Sequence, residues 1–470
     1  MTREVAGLLL ANVLILATGV GLLPLLRIAR TRQEIVARAG LSYLVGLAFV
    51  GVVSATLSLV RVSFGWPALA GLTTIALVLG YPALRRREPL AAPPRLSRRD
   101  ATVTGLCGLG TLALLARAAL SFSARPLLDW DAWHLWTLKA RALATLGWAD
   151  PSFFVTVRHP RYPLLLSSLE AIVIRAMGTY DPQLVDVQFA LLCLASIAAL
   201  AALLWDRVPA LLLWPLLLAI VTAPSLLGQL STAYADVPLA LFVAIAVAAA
   251  GRWLLSAEQW CLNLATLLLA TALLTKSEGL LAVVVVLAAL ALSAGRHRLR
   301  PVLASAAVVF SAGIPWWAYI SAFSAGEDDY KLTDAVRLVY VAGRAERARQ
   351  GLGALLGHLF DVSEWSLLGP LFVAAICVAA CTRRRTLVRF GLIVTLGYLA
   401  GLALVYDISP QPIGWYIGVT AYRVVATVVL SAAALTPLVV AEALSSRESV
   451  PNPMPRRRRA VRAPGAAGRA

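Results

Sequence analysis

Apolar runs of about 15–25 residues recur more than a dozen times along this 470-residue chain, and no other feature limits its folding as strongly. Each run can span or nearly span the ~30 Å hydrocarbon core of a bilayer. Lipid offers no partner to a backbone N–H or C=O, so such runs must satisfy their own hydrogen bonds as helices. They fall at approximately 5–26, 39–60, 64–84, 101–123, 163–178, 183–205, 208–230, 237–255, 260–274, 279–294, 302–323, 366–381, 386–406 and 424–444. Composition agrees. The chain is 60% hydrophobic and 14% charged, against about 45–50% and 25% in a soluble domain. Soluble, secreted and fibrous classes are excluded, and the expected fold is an all-α polytopic membrane protein. The first run lacks a basic leading region and an A-x-A cleavage site, so it reads as a retained helix and not a signal peptide.

Charge sets the orientation. Lys+Arg number 42 and Asp+Glu 24, a net +18, with Lys139, Lys276 and Lys331 the only lysines. The arginines are dispersed between apolar helices and form no single stripe with interleaved aromatics, which argues against nucleic acid. They suit the anionic cytoplasmic leaflet. Four lie in 27–38, six in 85–99, three in 296–300, four in 383–389 and seven from 447 onward. All five clusters are cytoplasmic only if segment 163–178 does not cross. That segment is short and carries Glu170 and Arg175, so it is predicted to be an interfacial or shallowly embedded helix on the outer side. Thirteen crossings remain, with Arg117 buried in one of them and the C-terminus cytoplasmic.

The chain then divides into three N-terminal transmembrane helices with a basic cytoplasmic loop (1–100), a transmembrane core with external loops 124–182 and 324–365 (101–445), and a disordered basic tail (446–470). The second loop holds Glu327-Asp328-Asp329-Tyr330, and the tail holds Arg456–Arg459. The five cysteines lie in or at the ends of apolar runs and read as small apolar residues, with neither a disulfide framework nor a metal site.

Five polar constellations fall on the predicted outer side. Ionisable groups at helix ends of an apolar protein are costly, so a convergent set is a candidate site. The first runs from Asp129-Trp130-Asp131-Ala132-Trp133 through Trp136, Lys139 and Arg141. Asp131 suits a helix N-cap or a carboxylate acting as a base at the water–lipid boundary. Trp133, Trp136 and Ala140 share one face of an amphipathic helix lying on the outer leaflet.

The second is Arg158-His159-Pro160-Arg161-Tyr162, a cationic cluster suited to a phosphate or to lipid headgroups generally. The third is Tyr234-Ala235-Asp236-Val237-Pro238, where Asp236 is again a cap or an acid with work to do. The fourth is Thr275-Lys276-Ser277-Glu278-Gly279, whose charges pair with each other or snorkel. The fifth runs from Trp415 to Arg423, just before the last helix, where Arg423 binds a phosphate or anchors that helix.

On these residues the chain resembles the GT-C superfamily of integral-membrane glycosyltransferases, in particular the dolichyl-phosphate-mannose–protein mannosyltransferase and aminoarabinose transferase group. The resemblance rests on Trp130-Asp131-Ala132-Trp133 with Lys139-Ala140, on His159-Pro160 with Tyr162-Pro163-Leu164-Leu165-Leu166 and Glu170, on Tyr234 to Ala240, and on Thr275 to Gly279, extended by Trp415 and Arg423. It covers about 101–445 and assigns no role to the first three helices.

It implies a polyprenyl-phosphate-linked sugar as donor and an extracytoplasmic envelope acceptor. Asp131, Asp236 and Asp129 become the catalytic acids. Lys276, Arg158, Arg161 and Arg423 become candidates for the donor phosphate, and Trp133, His159, Tyr162, Tyr234, Glu278 and Trp415 for substrate. Transfer would be inverting. A monophosphate leaving group makes no divalent metal obligatory, and Asp129-Trp130-Asp131 is not a soluble-enzyme metal motif. Besides donor and acceptor, membrane lipids are the implied partners, and the cytoplasmic membrane is the implied location. Rival readings are a transporter or flippase, which would place charges at mid-helix, and a non-catalytic envelope scaffold. Convergence of Asp131, Asp236 and Lys276 beside a lipid-sized groove would favour the enzyme, and their scatter the scaffold.

Overall fold

The structure, a computed structural model, describes residues 2–86, 97–124, 127–326, 334–335, 337–381 and 385–448. Glu327 to Tyr330 and Arg456 to Arg459 lie outside the described residues. Every regular element among the described residues is helical. The N-terminal group is α1 (Arg3–Leu25), α2 (Arg32–Ala37), α3 (Ser42–Leu59) and α4 (Trp66–Arg85), followed by α5 (Arg98–Ser123). A π-helical turn, Ala132–Trp136, leads into α6 (Thr137–Leu146), α7 (Pro151–Phe154) and α8 (Leu165–Met177). Then come α9 (Pro182–Leu204), α10 (Ala210–Val221), α11 (Pro224–Leu230), α12 (Asp236–Ser256), α13 (Gln259–Leu273), α14 (Glu278–Ala294) and α15 (Leu299–Ala322). Three short helices, α16 (Leu338–Ala342), α17 (Ala345–Phe360) and α18 (Val362–Trp365), precede α19 (Leu368–Ala380), α20 (Thr386–Ile408) and α21 (Ile413–Glu448).

The sequence punctuates these helices chemically. Side chains of Thr2, Thr31, Ser97, Asp150, Asp181 and Asp361 accept from backbone N–H groups of the first turns, supplying donors with partners that the helix cannot. Pro151, Pro182 and Pro224 stand at first helical positions, where the missing N–H costs nothing. Gly147 and Gly178 end α6 and α8 with φ of +89° and +79°, the left-handed cap that a side chain resists.

Nine described helices are long and apolar enough to cross a membrane, and the α10–α11 pair, bent by 53°, makes a tenth if it counts as one span. The other three expected crossings fall on α13, α14 and α19, of 15, 17 and 13 residues. At ~1.5 Å per residue these are shorter than the hydrocarbon core. Within the bundle α12 and α21 form the centre, each buried over 89% of its apolar window, whereas α5 is buried over 17% and is the most peripheral of the nine.

Arg117 lies within α5 and is exposed there, because that helix has so little protein around it. α8 packs inside the protein, with eleven of its thirteen residues buried, Glu170 among them. The last helix begins at Ile413, immediately after Pro412, and continues to Glu448. Trp415 and Arg423 therefore sit inside it, and it runs a few residues into the region expected to be a tail.

Backbone-to-backbone approach holds the N-terminal helices together. A Cβ on Gly46 would lie 2.0 Å from the Ile15 carbonyl oxygen, and one on Gly19 would lie 1.7 Å from that of Ser42. Small residues permit the close packing that membrane helices rely on when hydrophobic exclusion cannot drive their association. At the far end of α12, Arg252 is clamped by Asp206 (2.6 Å) and Glu258 (2.8 Å), while Arg38 lies over the Trp260 ring at 4.4 Å. The Arg38–Trp260 contact ties the N-terminal group to the core. Replacing Gly46 by Leu is expected to cost about 1–3 kcal/mol through overpacking, read as a lower unfolding midpoint of the purified protein in detergent. Gly105→Ala, inside α5 at a site with no atom within 4 Å of the added Cβ, is the control and should not lower the midpoint.

Candidate active site

Charged groups from four separate segments meet at the N-terminal end of α12. Asp236, the first residue of that helix, is 3% exposed and both its oxygens are engaged. Oδ1 accepts from Lys276 Nζ at 2.8 Å; Oδ2 accepts from Arg423 Nη2 at 2.8 Å and Nε at 3.2 Å. The remaining arm of the Arg423 fork, Nη1, donates to Asp131 Oδ2 at 2.7 Å. Lys276 also pairs with Glu278 Oε1 at 3.0 Å. Three carboxylates thus face two cations. Tyr234 closes one side, its ring 3.9 Å beneath the Arg423 guanidinium, and burial pushes its phenol up to about 12 despite that cation.

Local chain geometry explains the convergence. Lys276 sits in the tight α13–α14 turn, where a Cβ on Gly279 would lie 2.0 Å from the Ala272 carbonyl oxygen, so glycine lets the two helices close. Burial disfavours the Lys276 ammonium, but Asp236 and Glu278 outweigh it and hold its pKa above the ordinary lysine value. Arg423 reaches the cluster from the interior of α21. Neither acid is a cap. Asp131 and Ala235 precede their helices without a side-chain capping bond, and Asp236 is committed to its cations.

A second layer is aromatic. The Tyr162 ring stacks on Trp136 at 5.5 Å and on His159 at 4.9 Å, and both Lys139 and Lys276 have Nζ 6.0 Å from its centroid. Lys139 is fully buried and donates to the His159 carbonyl at 2.7 Å. Sequence reasoning placed it on the wheel of a surface helix and missed this role. The cause is the π-helical turn, in which Thr137 N–H reaches Ala132 O. One extra residue per turn breaks the expected face, so Trp133 is exposed while Trp136 and Ala140 are buried.

Other expected residues lie outside the ionic cluster. Arg158 is exposed, its guanidinium 4.7 Å from the Trp130 ring. Arg161 is exposed and donates to the Ala325 carbonyl at 3.4 Å. Trp415 lies two turns before Arg423, exposed and stacked on Tyr416. Asp129 is half-buried, and its carbonyl accepts from the Ala132 N–H at 3.1 Å. Among the described residues no group of three or more His, Cys, Asp or Glu side chains is placed to hold a metal ion.

The contrast between the two main acids has chemical meaning. Asp236 is sealed and saturated, so its role is to hold Lys276 and Arg423 in place. Asp131 is 28% exposed and is the acid of this pair that a substrate can meet. Helices and cluster together define a multi-pass, all-α membrane protein with a charged site at one end of its central helix. Compared with known proteins, the chain matches no family model, no curated protein and no solved structure.

Lys276→Met, which strands Asp236 and Glu278 without their ammonium, is expected to destabilise the protein by about 3–5 kcal/mol. Asp131→Asn, at a partly exposed pair, should cost less than about 1 kcal/mol. Unfolding midpoints of the two variants check this, and equal losses would refute the division between a sealed and an accessible acid.

Proposed function

We propose that this protein is a glycosyltransferase of the cytoplasmic membrane that moves a sugar from a polyprenyl-phosphate-linked donor to an extracytoplasmic acceptor, with inversion. One observation carries the reading: Asp131, Asp236, Lys276 and Arg423, far apart in sequence, are joined in one continuous network of ion pairs. A reaction that develops negative charge on a leaving phosphate needs fixed cations beside a carboxylate that reaches the acceptor. On this reading the site faces outward, thirteen crossings include the short helices α13, α14 and α19, and the C-terminus is cytoplasmic.

The chemistry follows from the Arg423 fork. In the resting site its Nη1 holds Asp131 Oδ2 at 2.7 Å. A donor phosphate that takes this arm releases Asp131 as it binds. Asp131 then accepts the acceptor hydroxyl proton while the hydroxyl oxygen bonds to the anomeric carbon. The bond from that carbon to the phosphate oxygen breaks, and its electron pair leaves with polyprenyl phosphate, stabilised by Arg423 and Lys276. Asp236 remains ionised and holds both cations. Tyr162, Tyr234, His159 and Trp133 are the groups available to pack against the sugar.

The test supplies membranes containing the protein with a panel of polyprenyl-phosphate sugars and native envelope acceptors, and quantifies released polyprenyl phosphate by mass spectrometry. Release should depend on one sugar and fall by about 10²–10⁴-fold in Asp131→Asn, with the unfolding midpoint preserved. Equal release from wild type and variant across the panel would sink the mechanism. Chelation with EDTA is expected to leave the rate unchanged, because a monophosphate leaving group is served here by Lys276 and Arg423, and a rate abolished by EDTA and restored by Mg2+ would overturn that assignment.

A further inference from the structure

A cleft with about 500 Å3 of empty space, part of it open, lies between the N-terminal helices and the core. Ile15 of α1, Leu47 of α3, Leu169 and Val173 of α8, Phe189 of α9 and Phe242 of α12 are among its apolar lining. None of Asp131, Asp236, Lys276 or Arg423 lines it, so the cleft is separate from the ionic cluster.

Two polar side chains interrupt this hydrocarbon wall. Glu170 is 3% exposed, and neither carboxyl oxygen has a hydrogen-bond partner among the described residues. Gln188 Oε1 lies 3.4 Å from the Tyr43 hydroxyl, and its Nε2 is buried without a partner. Tyr43 in turn donates to Asn12 Oδ1, so α1, α3 and α9 are joined by a polar chain ending at the cleft. Buried polar groups in native proteins are almost always hydrogen-bonded. Two that line the same cavity without partners call for a ligand that supplies them.

The geometry points to a binding site for a neutral membrane amphiphile, an apolar chain bearing a hydroxyl group that pairs with Glu170 and Gln188. A pure hydrocarbon chain leaves both groups unsatisfied. A cationic head is disfavoured as well, since ammonium and carboxylate would both have to be desolvated among apolar side chains, a cost their attraction often fails to recover. Burial, with the neighbouring Asp186 carboxylate adding to it, pushes the Glu170 carboxyl well above the usual carboxylate range. When protonated, such a carboxyl offers a donor and an acceptor, the complement of an alcohol. The site gives the N-terminal helices a function and does not depend on the transferase reading.

Four probes with the same eighteen-carbon skeleton test it: oleyl alcohol, 1-octadecene, oleylamine and oleate, each offered to the full-length protein in detergent, with bound probe counted by native mass spectrometry. Oleyl alcohol should be retained at least tenfold better than 1-octadecene and better than the amine or the acid. That preference should survive in Glu170→Gln, which keeps a donor and an acceptor, and vanish in Glu170→Leu. Leu169→Trp, which fills the cleft, should exclude all four. Equal retention of alcohol and alkene by the wild type would overturn the proposal without recourse to any variant. Preference for oleylamine would overturn it too, showing an ionised carboxylate that takes a cation. Transferase activity is not part of the readout, so failure here leaves the reading of the ionic cluster untouched.

Discussion

The Arg423 guanidinium is the interaction on which the site depends. Its planar fork engages two carboxylates at once, Asp236 through Nε and Nη2 and Asp131 through Nη1. A lysine would lack the fixed, planar geometry of this fork, because an ammonium is a compact point charge. Asp236 carries the link onward to Lys276, and Lys276 to Glu278. Removing one charge from such a buried chain leaves its partner desolvated and uncompensated. The network therefore fixes the relative positions of α12, α21 and the α13–α14 turn, as well as defining a site.

Burial then divides labour among groups of the same chemistry. Asp236 and Asp131 are both aspartates at the beginnings of helices, and each was open to the same two readings. The structure separates them by exposure: the sealed acid organises cations, and the other is partly open to the outside. The two lysines beside Tyr162 divide similarly. Lys276 is held by carboxylates, whereas Lys139 donates to a backbone carbonyl and fastens the Arg158–Tyr162 segment under the aromatic layer. At the other end of α12, the Arg252 clamp uses the same kind of pairing for anchorage.

The N-terminal helices belong to the same body. Glycine contacts bring α1 against α3, the Arg38–Trp260 contact joins them to the core, and with α8, α9 and α12 they enclose the cleft around Glu170. That carboxyl illustrates how an ionisable group inside an apolar helix acquires meaning from its surroundings. On a surface helix it would be a solvated charge. Within α8, buried nearly all round, it is a polar group whose satisfaction must come from something that enters the cleft.

Much was legible in the residues alone. Helical, membrane-spanning character follows directly from apolar run length, because lipid permits no other backbone solution for such segments. The site's members were legible as well: Asp131, Asp236, Lys276 and Arg423 each sit at the polar margin of an apolar run, where a charge is expensive enough to stand out. Tertiary structure alone decided which of them touch, since pairing depends on how helices pack and not on their spacing along the chain. It also decided that Trp133 and Trp136 part company, through one π-helical turn that periodicity does not reveal. Arg117 turned outward, and Lys139 and Glu170 became buried, for the same physical reason. Which face of a helix is covered is set by the neighbours that fold against it, and a single chain's pattern does not name those neighbours.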